Sequence, residues 1–274
     1  SKAAELAALI ANVNKGSSLG SKNIIINGAM NVSQRSVSET GLTSSGYKTI
    51  DRFRFSAGTA GTWTMTQSSD VPTGYGFANS LKLDCTTANG SLSAGSDMSL
   101  QYKLEGQDVQ TLRKGTSSAV PVTLSFWVKS TKTGTFICEL HDLDNSRNIS
   151  QAYTVSSSNT WEKKELTFVG DTTGALNDDN GESLRVQFHL VAGTTYTSGT
   201  LATSWVSPTS ANRIVGQVNI ADSTSNDWLL TGVQLEIGEK ATEFSHEPYS
   251  VTLLKAQRYY QAENYADHYR AMRT

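Results

Sequence analysis

From Asn23 to about Glu247, apolar side chains recur at every second residue in roughly ten separate stretches. A period of two places those side chains on one face of a strand. Phe53 and Phe55 alternate with Arg52 and Arg54; Trp63 and Met65 follow, then Leu81, Leu83 and Cys85, then Met98, Leu100, Tyr102 and Leu104. Val122, Leu124, Phe126 and Val128 alternate with Thr123, Ser125, Trp127 and Lys129. Phe136, Cys138 and Leu140 come next, then Leu166 and Phe168, and then Leu184, Val186, Phe188 and Leu190 against Arg185, Gln187 and His189. Leu229, Val233, Leu235 and Ile237 close the series. Strands apolar on one face and polar on the other belong to antiparallel sheets with one wet side. About ten of them without intervening helices predict an all-β fold, two sheets face to face in an antiparallel β-sandwich or jelly roll.

Composition agrees. Counting the sequence gives 35 Ser and 32 Thr among 274 residues, with 22 Gly and 4 Pro, as expected for short strands joined by polar turns. The 23 aromatic residues supply a core. Lys and Arg total 23 against 25 Asp and Glu, a formal net charge of -2. That balance argues against a protein that coats nucleic acid. No apolar run approaches the roughly 20 residues needed to span a bilayer, and the N-terminus does not read as a signal peptide. Neither nucleic acid nor membrane is therefore an expected partner. Cys85 and Cys138 each sit in an inward phase and read as small buried hydrophobes.

Helix is expected only at the two ends. Ala3 to Val13 is rich in Ala, and Leu6, Leu9, Ile10 and Val13 fall on one helical stripe. A helix of about 11 residues is marginal alone, so it docks on the body or associates with copies of itself. Residues 1–22 thus read as a helix and Gly/Ser linker for anchoring or oligomerisation, 23–249 as the sandwich, and 250–274 as a C-terminal helical segment. There Ser250 is a candidate cap and Tyr259 and Tyr260 are candidate interface residues.

Chemistry is harder to place. A hydrolase would use paired carboxylates, for which Asp142 with Asp144, or Asp178 with Asp179, are the candidates. Both pairs lie in Asn/Asp/Gly clusters between strands, where hairpin turns need such residues. The second cluster could instead gather oxygens for calcium, without the usual loop spacing. The four histidines show no metal-ligand spacing and no nucleophile elbow is present, so no catalytic residue, metal or cofactor is assigned. Sugar-binding sandwiches offer exposed aromatic rings to the C–H faces of sugars. Trp127 is out of phase with the core; Tyr196, Trp205 and Asn212 lie in a long polar stretch between two strands. These four are the candidate glycan contacts, with burial of Trp127 under a terminal helix as the competing reading.

Three ordered motifs resemble a known family. They are Asn23–Arg35 (NIIINGAMNVSQR) with Asp51, Arg52 and Phe53; Leu104–Gln110 (LEGQDVQ) with Val122–Val128 (VTLSFWV); and Thr231–Glu236 (TGVQLE) followed by Phe244, Pro248, Tyr249 and Gln257–Tyr260 (QRYY). The pattern is similar to bacteriophage and prophage tail-fibre or virion structural proteins with a jelly roll like that of carbohydrate-binding modules. The resemblance implies the fold and a virion context; with the marginal N-terminal helix, which gains stability by association, the expected protein is a fibre or spike component, a homotrimer assembled in the host cytoplasm, contacting other virion proteins and host-surface polysaccharide. It transfers no catalytic residue. The alternatives are a purely architectural decoration or adaptor protein, and a glycan-degrading enzyme.

Overall fold

The structure, a computed structural model, describes residues 22–262. The candidate association stripe Leu6, Leu9, Ile10 and Val13 lies outside the described residues. Within them, alternation resolves into twelve strands: β1 (Ser38–Leu42), β2 (Gly46–Tyr47), β3 (Phe53–Gly58), β4 (Thr62–Ser68), β5 (Ser80–Thr87), β6 (Asp97–Glu105), β7 (Val122–Ser130), β8 (Gly134–Asp142), β9 (Arg147–Val155), β10 (Glu162–Phe168), β11 (Glu182–Ala192) and β12 (Asp227–Ile237). The α-helices are a single turn, α1 (Thr194–Thr197), and α2 (Tyr249–Gln257). No helix among the described residues is long and apolar enough to cross a membrane.

Six strands form sheet I in the order β1-β4-β5-β12-β7-β10, and six form sheet II in the order β2-β3-β6-β11-β8-β9. Every pairing is antiparallel. The two inner faces close on one core, as the period of two requires. Phe126 of sheet I meets Phe188 and Tyr153 of sheet II edge to face, each with centroids 5.1 Å apart. Trp63, Trp228, Phe53, Phe55, Phe136 and Phe168 are fully buried around them. Cys85 and Cys138 are free and buried in the same core.

Three local expectations change. In β12 the register slips between Thr231 and Gln234, a bulge that shifts the phase of the strand. Trp228 and Leu230 therefore point inward before it and Val233 and Leu235 after it, while Leu229 joins the outer face and Ile237 is 46% exposed. Asn27 and Gly28, a pair that suits a turn after a first strand, do form a turn, with Asn27 at φ 63°, but no strand precedes it among the described residues. Ser250 does not cap α2; Pro248 stands at the N-cap, and Ser250 lies inside the first turn.

Between β11 and β12 the chain runs over the outer face of sheet II. Val206 pairs with Asn148 at the start of β9, and Gln217 and Val218 bond to Ile137 and Thr135 of β8.

Candidate functional site

Alternation sets Trp127 outward on β7, and the bulge in β12 opens room beside it. Gly232 sits in that bulge at φ +63°; a Cβ there would stand 2.6 Å from the Phe77 ring and 3.1 Å from Trp127. A glycine after Thr231 suits close approach at the start of a strand; here the approach falls in mid-strand. Opposite it, the loop from Ser69 to Asn79 folds back over sheet I, turning at Gly74 and Gly76 with φ of 87° and 76°. Tyr75, between those glycines, lies on Trp127 with ring centroids 4.3 Å apart and planes tilted by 47°. Half of Tyr75 remains exposed, at 50%, whereas Trp127 is partly covered. Among the described residues the ring laid on Trp127 is Tyr75; the N-terminal helix of the competing reading lies outside them.

The rim is polar and fixed. Asp70 accepts from Lys129 Nζ at 2.6 Å and from Trp161 Nε1 at 2.9 Å, so a second partly exposed indole is tied to Lys129, two residues along β7 from Trp127 and on the same face. Burial pushes the Asp70 carboxyl up, but the Lys129 and Trp161 hydrogen bonds outweigh it and hold the group below its usual range. Beneath, Phe77 packs edge-on against Phe244 at 5.0 Å, and His246 Nε2 lies 3.1 Å from the Tyr75 carbonyl. The post-β12 segment thereby anchors the loop. Such an arrangement can stack an apolar ring face while directing hydrogen bonds from its edge.

The structure places the other candidates apart from this face. Trp205 is turned to the interior: its indole donates to the Val169 carbonyl at 2.7 Å and lies over the Lys114 ammonium at 5.2 Å. That ammonium is 4% exposed and bonds Asp142 at 2.5 Å, Asp171 at 3.0 Å, and the Thr173 and Gly174 carbonyls at 2.9 Å. A buried cation needs such a cage, and Trp205 closes it. Tyr196 and Asn212 brace the connector itself. The Tyr196 carbonyl accepts from Ile214 N, and Asn212 Oδ1 accepts from Thr200 N at 3.0 Å. Of the four candidate glycan contacts, only Trp127 stands in the aromatic platform.

The acidic clusters serve turns and ion pairs. Asp144 accepts from Asn177 N and Nδ2, Asp179 accepts from Gly181 N at 2.8 Å, and Asp142 is spent on Lys114. On sheet II, Glu139 is fully buried and accepts from both Arg213 Nε at 2.8 Å and Nη2 at 2.6 Å. Gln187 at 2.6 Å and Asn148 at 2.9 Å complete its shell, with His189 Nε2 at 3.3 Å.

Tyr259 and Tyr260, just beyond α2, stack on arginines of their own chain. Tyr259 lies on Arg52, with the guanidinium carbon 3.4 Å from the ring centre, and Tyr260 on Arg35 at 3.6 Å. Arg35 also pairs with Asp51 at 3.2 Å, and Gln34 bridges Asp51 to the Tyr260 carbonyl. The opening and closing motifs therefore meet in space. Asn23 likewise bonds Val233 O at 3.0 Å and Leu235 N at 3.0 Å on β12.

Sequence reasoning missed Tyr75 and Trp161. For Tyr75 a signal existed: an aromatic between two glycines in a polar turn, where an inward-facing core residue has no strand to carry it.

No family model matches the chain, and neither does any curated protein. Among solved structures, the chain is similar to the enzymatically active domain of tailspike protein 4 of bacteriophage CBA120, at 13% identity and a TM-score of 0.40. That match covers 79% of this chain and 22% of the tailspike chain, so this protein spans about a fifth of its length. A family 11 carbohydrate-binding module of a Clostridium thermocellum cellulosomal cellulase matches over 75% of this chain and 99% of its own, at 11% identity and a TM-score of 0.36. The module TmCBM61, solved with beta-1,4-galactotriose, matches over 80% of this chain and 100% of its own, at 10% identity and a TM-score of 0.36.

Proposed function

We propose that the chain is a non-catalytic β-sandwich that binds glycan on the outer face of sheet I, through Tyr75, Trp127 and Trp161. The observation that carries this reading is the half-exposed Tyr75 ring laid on Trp127, with the Trp161–Asp70–Lys129 cluster built on the same sheet face from Lys129, two residues along β7. Stacked aromatics resist sinking into the surface, and a charged rim selects hydroxyl patterns. The non-catalytic reading rests on the carboxylates: Glu139, Asp142 and Asp171 are each buried and held by cations. In the wider proposal the protein is a virion component of tail-fibre or spike type, a homotrimer whose weak sites act together. The three sequence motifs support that setting.

Glycan-array binding of the full chain tests the site, beside Tyr75→Ala and Trp161→Ala. Each variant is expected to lose about tenfold in affinity, the scale of one stacked ring. A folded wild-type chain that binds no glycan, or a Tyr75→Ala variant that binds as well, overturns the reading. Shortening of the bound polysaccharide would make the protein an enzyme instead.

A purely architectural reading has one observation in its favour. On α2, Leu254 is 72% exposed and Tyr249 57%, apolar surface suited to another protein. It predicts binding to virion proteins and no response of that binding to Tyr75→Ala.

A further inference from the structure

The outer face of sheet II carries charge that the aromatic platform does not use. Strand register lines up Tyr47, Arg54, Gln101, Gln187 and Glu139 in one row across β2, β3, β6, β11 and β8. Hydrogen bonds run along that row. Arg54 Nη1 donates to Gln101 Oε1 at 2.8 Å, Gln101 Nε2 to Gln187 Oε1 at 2.9 Å, and Gln187 Nε2 to Glu139 Oε2 at 2.6 Å. The chain of amides ends on a buried carboxylate, which fixes every donor direction and holds Arg54 in one orientation. In the adjacent row Lys103 pairs across the strands with Arg185, and Arg52 donates to the Lys103 carbonyl at 2.6 Å.

Four cations thus share this band, Arg52, itself buried, with Arg54, Lys103 and Arg185; the carboxylate paired with any of them is Glu182, while Glu139 and Glu105 on the same face are taken by Arg213 and Arg258 and Asp97 lies at the far end of β6. Glu182 bonds Lys103 at 2.5 Å and also pairs with Arg185. Among the described residues, Arg52 and Arg54 have no carboxylate partner: Arg54 bonds an amide, and Arg52 bonds a carbonyl, the Tyr102 hydroxyl and two tyrosine rings. The cations bordering the band are each neutralised, Arg35 by Asp51, Arg213 by Glu139 and Arg258 by Glu105. A surplus of positive charge therefore sits on this band in a chain whose formal net charge is -2. The side chains of Lys103 and Arg185 are 30% and 20% exposed, within reach of a ligand. By strand order the band lies between the connector, seated on Glu139 of β8, and the Tyr259 and Tyr260 side.

We infer that this band is a second binding site, for a polysaccharide bearing carboxylates. A guanidinium held in place by neighbours accepts a carboxylate as a two-pronged pair, with little ordering left to do on binding. Neighbouring strands repeat at about 4.8 Å, a distance close to one pyranose ring along a chain, so successive acidic sugars meet successive strands. A nucleic acid fits less well: the surplus is small, and the balanced net charge gives no long-range attraction for a dense polyanion. The site is independent of the Tyr75 platform.

Electrophoresis of the full chain through native gels containing polygalacturonate or neutral dextran tests it, between about 50 and 200 mM salt. The wild type is retarded by polygalacturonate and not by dextran, and the retardation falls as salt rises. Arg54→Gln and Arg185→Gln each weaken binding about threefold to fivefold, and together by about tenfold or more. Lys240→Gln, which removes an exposed charge elsewhere, leaves it unchanged, and so does Tyr75→Ala, which separates this site from the glycan platform. Thermal midpoints equal to wild type show the variants folded. Absence of retardation, insensitivity to salt, or unaltered binding by the double variant overturns the inference. So does a single-stranded oligonucleotide that displaces the protein better than oligogalacturonate of equal charge, which would reassign the band to nucleic acid.

Discussion

Glu139 is the side chain on which sheet II's outer face converges. Burial alone would raise its carboxyl, but the hydrogen bonds and charge of Arg213, aided by His189, hold it down at about 2, against an ordinary 4.5. A folded value below the unfolded one stabilises the fold above about pH 4.5, and that stabilisation is lost as pH falls toward 2. The shift corresponds to about 3 kcal/mol. Glu139→Gln leaves the Arg213 charge without its partner, and should cost about 3–5 kcal/mol at pH 7. Urea unfolding checks both statements: the gap between wild type and variant should be full at pH 7 and should narrow from pH 4.5 downward. A gap independent of pH would mean that the carboxylate charge is not what stabilises the connector. Gly28 makes a different residue-scale case. A Cβ there would stand 2.0 Å from the Val233 carbonyl oxygen, a backbone atom that cannot step aside without breaking the hydrogen bond from Val233 N to Gly28 O. Gly28→Ala should therefore lower stability by about 3 kcal/mol in the same denaturant series.

At the scale of elements, α2 is held less by its own residues than by the three that succeed it. Beyond its last turn, Tyr259 and Tyr260 cover Arg52 and Arg35, and Arg258 bonds Glu105 at 2.6 Å. Each ring contact is worth about 1 kcal/mol, so Tyr259→Ala with Tyr260→Ala should lower the unfolding free energy by about 2 kcal/mol. Cleavage by protease should then begin within α2 while the sandwich resists; a variant cut no faster than wild type would show that the tyrosines do not latch the helix. The strands themselves are legible in the sequence where polar side chains alternate with apolar ones, as in β7 and β11. Strand β9 is not, because Gln151 interrupts the inward phase of Ile149, Tyr153 and Val155; Asn148 and Ser150 are polar as their outward phase requires and are buried where the connector lies on them. The bulge in β12 hides two phase assignments for a related reason. Alternation reports the face of a regular strand, and an inserted residue reverses every assignment on one side of it. Phase alone places Trp127 outward, as the structure has it. Its partner Tyr75 comes from a loop whose path depends on Phe244 and His246, far along the chain on the other side of β12, so no local pattern could pair them.

For the whole molecule, the two faces and the two ends divide the work. Both sheets turn their inner faces to one core, leaving two outer faces free to differ: aromatic on sheet I, cationic on sheet II. Sites as shallow as these bind weakly, and several copies on one body raise the effective affinity without new contacts. In the proposed reading, association falls to the Ala/Leu stretch from Ala3 to Val13, whose sequence is that of a helix too short to be stable alone. The expected outcome in sedimentation equilibrium is a trimer for the full chain, three copies of 29.5 kDa, and a monomer with unchanged β-sheet circular dichroism when residues 1–22 are removed. Immobilised polysaccharide should retain the full chain about a hundredfold more strongly than the shortened one, although each site binds a soluble oligosaccharide equally. A shortened chain that stays trimeric would move the association surface to the exposed Tyr249, Val251 and Leu254 of α2. A full chain that sediments as a monomer would remove multivalency from the mechanism, and the platform would then have to bind tightly by itself, which a half-exposed tyrosine on a tryptophan is poorly built to do.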